Sequence, residues 1–429
     1  MSETFIPLPM DIVAVVRSMR SFGYSFEDAV ADIVDNSISA GADTVIVVYR
    51  TSNPKRLSVA FKDNGCGMTE DEIQKALCFG KHMEHQGTKV PLGKFGMGLK
   101  TASLSQCRCV TVASKKEGKI SAVCLDLNVV EQRGEIVGRK LSPEEVGAVA
   151  VFSYLNEVNH GTVVLWNNFD HFVAKGKRVT AGDILSKKIA AAKSHVALVF
   201  HEFYRSVEIY FNAIRVSYRD PFLMNSFPRR NKGAAVDLGR GVTAVPYALP
   251  YANSLREDEK RMLGLDEGAD YFRDQGIYIY RNKRLIHYGG WFRLKPRNEN
   301  YRYARVRIDL TDADDEAWML DVRKATIQLP EDVKNSLRTA IEDALTKSSR
   351  KCIEEGVRKI STSVSNFWNF KRDTATGESQ VRIDLREAIC QNVINNASDG
   401  GEAFQAFVHF VEKEFPWEAI RHLEEGGNS

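Results

Sequence analysis

From Ser25 to Ala40 the apolar residues Phe26, Val30, Ile33, Val34 and Ile38 recur near a 3.6-residue period, so the segment reads as a helix that must bury one face. Ser25 is placed to cap its start, and Gly41 to stop it. Two strand patterns follow, TVIVVYR and RLSVAF, the second running directly into Asp63-Asn64-Gly65-Cys66-Gly67-Met68. A half-apolar helix followed by strands can bury its stripe only in a layered arrangement of helix on sheet. Thr69 with Glu72 reads as a capping box for another helix. A glycine-rich stretch then leads through Gly98 into the short helix KTASLSQ. Strands are expected at 108–114, 119–128, 149–155 and 162–167, and a long helix at about 181–203 ends this first unit.

A chain of 429 residues exceeds one ordinary core. A new unit is expected from Val207 to about Lys347, with strands VEIYFN, GIYIYR and YARVRIDL and a helix EDVKNSLRTAIEDAL. The remainder reads as helical at 350–368, 384–396 and 402–414, interrupted by a polar loop at 371–380. The expected division is therefore 1–203, 204–347 and 348–429.

The formal net charge of +3 is no nucleic-acid signature for the whole chain, though it leaves room for a local basic patch. The seven cysteines lack CxxC spacing, which argues against zinc or disulfide chemistry. Cys107 and Cys109 fall on one face of an expected strand, as buried small hydrophobes. No signal-peptide pattern or apolar run of about 20 residues occurs, so a cytoplasmic protein with reduced thiols and no membrane span is expected.

Four segments carry chemistry. Asp32 and Asn36 stand four apart on the first helix and share a face, a carboxylate and an amide suited to a water-activating base beside a metal-binding oxygen. The alternative is a solvated polar stripe. At Asp63-Asn64-Gly65-Cys66-Gly67, glycines allow close approach to a flat ligand and a fixed carboxylate can accept from an exocyclic amine; the alternative is a plain turn. Gly93-Lys94-Phe95-Gly96-Met97-Gly98-Leu99-Lys100-Thr101 runs into a helix, so its backbone N–H groups can cradle phosphate. It matches neither a dinucleotide-binding unit nor GxxxxGK[ST]. Last, Gly161-Thr162 opens the strand TVVLW.

In this order, DIVDN, DNGCG, GKFGMG and GT resemble the four sequence boxes of the GHKL ATPases, the superfamily of DNA gyrase B, MutL, the MORC proteins and sensor histidine kinases. DIVDNSISAGA and FGKHMEHQGTKVPLGKFGMGLKTAS are most similar to MutL and to prokaryotic MORC-like proteins. The resemblance implies an α+β chain: a Bergerat-type α/β sandwich that binds ATP, a transducer-like α/β domain, and a helical C-terminal segment. It implies Asn36 as Mg²⁺ ligand, Asp63 on the adenine amine with Gly65, Gly67 and Met68 beside the base, and Thr162 beneath it. Gly93 to Lys100 would form lid and phosphate turn, and Asp32 would be the base. Most hydrolysing members have Glu where this chain has Asp32, one methylene shorter, so slow turnover is an open outcome.

The resemblance further implies a transducer lysine returned to the γ-phosphate, for which Lys324 in WMLDVRKATIQLP is the candidate, with Arg323 its competitor and an ordinary exposed lysine the alternative. Residues 281–307 hold nine Lys or Arg against one acid, Glu299, with aromatics interleaved. That is the composition of a nucleic-acid surface or of a strand pair with a solvated basic face. The expected function is ATP hydrolysis that drives lid closure and homodimerisation, acting on DNA through 281–307, with any nuclease or effector a separate protein. A chaperone-like remodelling ATPase and a nucleotide-gated module with little hydrolysis are the rivals.

Overall fold

A computed structural model describes residues 11–20, 24–54, 56–78, 98–172, 179–224, 231–315, 318, 329–363, 368–372, 379–383, 385, 388–397 and 401–413. Residues up to Ser348 form one compact unit and those from Ser349 a second.

The first unit holds two sheets. The larger uses β1 (Thr44–Arg50), β2 (Ser58–Asp63), β3 (Cys109–Lys116), β4 (Lys119–Asp126), β5 (Arg139–Lys140), β6 (Gly161–Asn167), β7 (Glu208–Phe211) and β8 (Ile214–Arg215) in the order β5-β4-β3-β6-β2-β1-β7-β8. Its helices are α1 (Ile12–Arg20), α2 (Phe26–Ser39), α3 (Glu70–Leu77), α4 (Gly98–Gln106), α5 (Leu127–Arg133), α6 (Pro143–Ala148), α7 (Tyr154–Glu157) and α8 (Ala181–Val199). The Ser25 hydroxyl accepts from the Asp28 amide to start α2, and Thr69 and Glu72 close the expected capping box on α3.

Alternation along the strands divides their side chains between two cores. Val59, Phe61, Val110, Val112, Val164 and Trp166 join the core that also holds α2, α4 and α8. Ala60, Ala113, Val163 and Leu165 join Phe152, Tyr154 and Leu155 in a smaller core. The expected strand at 149–155 is instead a 3₁₀ turn running into α7, because Phe152 and Leu155, three apart, both enter that smaller core. The strand VEIYF, read as the start of the next unit, pairs in parallel with β1, Thr44 opposite Glu208.

The second sheet comprises β9 (Asn231–Lys232), β10 (Val236–Gly239), β11 (Val242–Ala248), β12 (Gly276–Arg281), β13 (Arg284–Tyr288) and β14 (Ala304–Leu310), in the order β10-β11-β14-β12-β13 with β9 on β11. A short helix α9 (Glu257–Leu263) precedes β12. Val333, Leu337, Ala340, Ile341 and Ala344 of α10 (Glu331–Ser363) cover Ile277, Ile279, Val306 and Ile308. Asn282 and Lys283 both have positive φ, 49° and 71°, so β12 and β13 are joined by a tight two-residue turn of the primed kind.

The C-terminal unit contains α11 (Ala388–Asn396), α12 (Glu402–Lys413), and β15 (Trp368–Arg372) paired antiparallel with β16 (Ser379–Ile383). The helices expected at 384–396 and 402–414 correspond to α11 and α12, while the ends of the loop expected at 371–380 are strand, and residues 373–378 lie outside the described residues. The alternating WNFKR and SQVRI pair as a hairpin. Among the described residues no helix is long and apolar enough to cross a membrane.

Phe26 is 1% exposed and meets the edge of Trp166 at 6.1 Å, while Trp166 meets Phe61 at 4.7 Å. Phe26→Ala should destabilise the first unit by about 3–5 kcal/mol; a loss below about 1 kcal/mol in urea unfolding would show that α2 does not depend on this cluster.

Candidate nucleotide-binding site

Asp63 is the last residue of β2 and lies opposite Thr162 on β6. Its side chain is buried. One carboxylate oxygen accepts from the Gly65 amide at 2.9 Å, the other from the Ser37 hydroxyl of α2 at 2.9 Å. Burial is the largest influence and pushes the Asp63 pKa up to about 6, against the amides of Gly65 and Thr162 and the Ser37 hydroxyl, which lower it. A carboxylate has about four lone-pair sites, so these donors leave room for one more.

The turn after Asp63 is fixed by backbone crowding. Gly67 has φ 68°, and a Cβ there would run into the Lys115 carbonyl oxygen. At Gly161, φ 155°, a Cβ would run into the Asp63 carbonyl oxygen. Both glycines therefore serve the approach of backbone to backbone, whereas the sequence reading gives Gly67 to a ligand. Ser114, which no motif flagged, ties the parts together: its hydroxyl accepts from the Met68 amide at 2.8 Å, donates to the Gly161 carbonyl at 2.8 Å and meets the Thr162 hydroxyl at 2.9 Å.

On α2, Asn36 is exposed and Asp32 is 5% exposed. The shared face expected from their spacing is therefore divided by tertiary cover. One Asp32 oxygen accepts from the Tyr24 hydroxyl at 2.7 Å, the other from Arg284 Nη2 of β13 at 3.1 Å. Arg284 also contacts the Asp35 carboxylate. Burial opposes the Arg284 charge, yet Asp35 and Asp32 outweigh it and hold its pKa above the usual value. Burial, then the Asp32 charge, pushes the Tyr24 phenol far above its ordinary range. Neither Tyr24 nor Arg284 was legible as a site residue.

Gly98 and Leu99 open α4, and buried Lys100 donates through Nζ to the Cys78 carbonyl. Burial lowers the Lys100 pKa. Gly93, Lys94, Phe95, Gly96, Met97 and Lys324 lie outside the described residues. Among the described residues no group of three or more His, Cys, Asp or Glu could hold a metal; the exposed Asn36 amide fits a metal that takes most of its oxygens from phosphate and water. Cys107 is buried at the end of α4, outside β3, and burial raises its thiol pKa.

The basic segment 281–307 folds differently from its composition. Arg281 is buried in a two-bonded pair with Asp315 at 2.6 and 2.8 Å, and Arg284 is buried on α2. Arg305 is buried against Tyr278, and Arg307 pairs with Glu202 and Asp309. Lys295 meets Glu342, Arg302 meets Glu299, and Trp291 and Tyr303 are core residues. The continuous cationic surface is thereby reduced to exposed Lys283, Arg293 and Arg297.

Residues 24–162 match the family described as histidine kinase-, DNA gyrase B-, and HSP90-like ATPase, a span that encloses Asp32, Asn36, Asp63, Gly67 and Thr162. Human MORC family CW-type zinc finger protein 1 is 27% identical over 128 residues, 29% of this chain and 13% of that protein. Mouse ATPase MORC2B is 29% identical over 109 residues, 25% of this chain and 11% of that protein. The DNA mismatch repair protein MutL of Trichormus variabilis is 40% identical over 76 residues, 18% of this chain and 13% of that protein. The matched stretches therefore span about one eighth of these relatives. Residues 24–162 are thus similar to the GHKL ATPase family and, within it, to MORC and MutL proteins.

With Asp63 at about 6, the acceptor carboxylate is present above that pH and lost below it. ATP affinity should fall by up to about tenfold per pH unit below pH 6, and Asp63→Asn should weaken binding above pH 6, with the gap from the native chain closing as pH falls below it. Calorimetry that finds a flat affinity from pH 5 to 8 would exclude Asp63 as the amine acceptor.

Proposed function

We propose that the chain is a Mg²⁺-dependent ATPase whose nucleotide sits between α2 and the ends of β2 and β6. The observation that carries this reading is the buried Asp63 carboxylate, with acceptor capacity to spare, within the GHKL-matched residues. Asp63 accepts from the adenine amine, while Gly65, Gly67, Met68 and Thr162 border the base. Asn36 offers its amide oxygen to the metal, and Gly93 to Lys100 bring backbone N–H groups to the phosphates. Lys100, whose Nζ donates one of its three N–H bonds to the Cys78 carbonyl, joins them. Mg²⁺, when bound, neutralises charge on the phosphate oxygens. Asp32 takes the proton of the attacking water, and Lys324 steadies the γ-phosphate.

In this reading the ATPase domain occupies 1–203 with its sheet completed by β7 and β8, a transducer-like domain follows to 347, and 348–429 is an appended segment. ATP closes the lid and favours a homodimer in the cytoplasm, and the cycle acts on DNA or on a separate effector. Asp32 is engaged by Tyr24 and Arg284 and is one methylene shorter than Glu, which favours a second reading: a nucleotide-gated module with little turnover.

Asn36→Ala should abolish Mg²⁺-dependent ATP binding by calorimetry, since this reading gives the metal no other side chain. Asp32→Ala should bind ATP normally yet lose about 10²–10⁴-fold in turnover; equal turnover in the two chains would remove Asp32 as base, and no turnover above background in the native chain would leave the gated module.

Only exposed cations can release counterions from DNA. Replacing Lys283, Arg293 and Arg297 by Glu should weaken DNA binding and flatten its salt dependence while ATP affinity stays constant. An unchanged salt slope in electrophoretic shifts would turn the assignment toward a protein client.

A further inference from the structure

Arg284 is the first residue of β13, set directly after the tight Asn282-Lys283 turn. Its guanidinium is buried and reaches α2, 252 positions earlier in the chain. There it meets two carboxylates one helical turn apart: Asp32 at 3.1 Å, and Asp35 more closely. The Phe200 ring lies 5.7 Å from the guanidinium carbon. A buried guanidinium needs one carboxylate for charge balance. Asp35 balances that charge, and the buried Asp32 carboxylate takes a second arm of the same guanidinium. With the Tyr24 hydroxyl at 2.7 Å on the other oxygen, the Asp32 carboxylate is clamped from both sides.

We propose that Arg284 is a positioning residue for Asp32, so that the ATPase centre on α2 is correctly set only while the β12–β13 hairpin of the second sheet is seated on it. The inference rests on Asp32 being the base. Arg284 acts through that carboxylate and not through the nucleotide pocket, because Asp63, Ser37 and Thr162 belong to a separate set of hydrogen bonds. A purely structural staple would lower stability without distinguishing kcat from nucleotide affinity, and its effect would not depend on what stands at position 32.

The test measures kcat, KM and ATP affinity for Arg284→Met, Arg284→Lys, Tyr24→Phe and Asp32→Ala, and for the first and third combined with Asp32→Ala. Arg284→Met should leave ATP affinity within about threefold and lower kcat by roughly 10²-fold, the scale of a 1 Å misplacement. Arg284→Lys should restore part of the loss, since it keeps the charge and lacks the fork. Tyr24→Phe, which removes one hydroxyl and no charge, should lower kcat several-fold. In the Asp32→Ala background both changes should add less than twofold, because residues that act as one unit are not additive. If Arg284→Met and Tyr24→Phe lower kcat by the same factors with and without Asp32, the positioning role is overturned and the contact is a staple. Native-like kcat in Arg284→Met while Asp32→Ala is inactive overturns the inference and leaves the base in place. Native-like turnover in Asp32→Ala overturns the base reading itself. Should Arg284→Met not fold, Tyr24→Phe carries the same comparison, together with Arg284→Lys measured with and without Asp32→Ala.

Discussion

Almost the whole of α2 is buried, and that constraint organises the first unit. Ala29 to Val34 are 0–5% exposed, and of the helix's later residues Asp35 and Ser37 are buried as well. Polar groups at such depth are costly unless each has a partner. Asp32 therefore has Tyr24 and Arg284, Asp35 has Arg284, and Ser37 has Asp63. Asn36 alone among the polar residues of DIVDNS faces outward. The helix thus connects the strand end at Asp63 to the second sheet at Arg284, and its hydrogen bonds reach both.

The same economy explains why composition misleads at 281–307. Arginines beside aromatics describe a nucleic-acid surface and also the inside of a sheet whose long cationic stems lie along tyrosine rings. Arg305 over Tyr278 at 5.0 Å and Arg307 over Tyr280 at 4.1 Å belong to the second kind. Which kind applies is decided by acids distant in sequence, Asp32, Glu202 and Asp315, that no local window contains.

Local signals were reliable where the physics is local. The α2 cap at Ser25, the capping box at Thr69 and the strands on either side of Asp63 follow from spacing and capping chemistry, and they appear as expected. Residues 149–155 show the limit: a strand is expected there, but burial of Phe152 with Leu155 favours a helical turn. Lys371, Arg372, Ser379 and Gln380, at the ends of a stretch expected to be loop, are strand because β15 and β16 bond to each other.

The sequence by itself determined the resemblance of residues 24–162 to the GHKL ATPases and the places of Asp63, Gly67 and Thr162 at strand ends, because ordered motifs and strand patterns are local signals. Tertiary structure alone decided that burial raises the Asp63 pKa to about 6, that Asn36 is open while Asp32 is covered, and that Arg284 of β13 bonds to Asp32 of α2. Burial and long-range ion pairing set those outcomes, and both depend on what the fold places around a residue rather than on its neighbours in the chain.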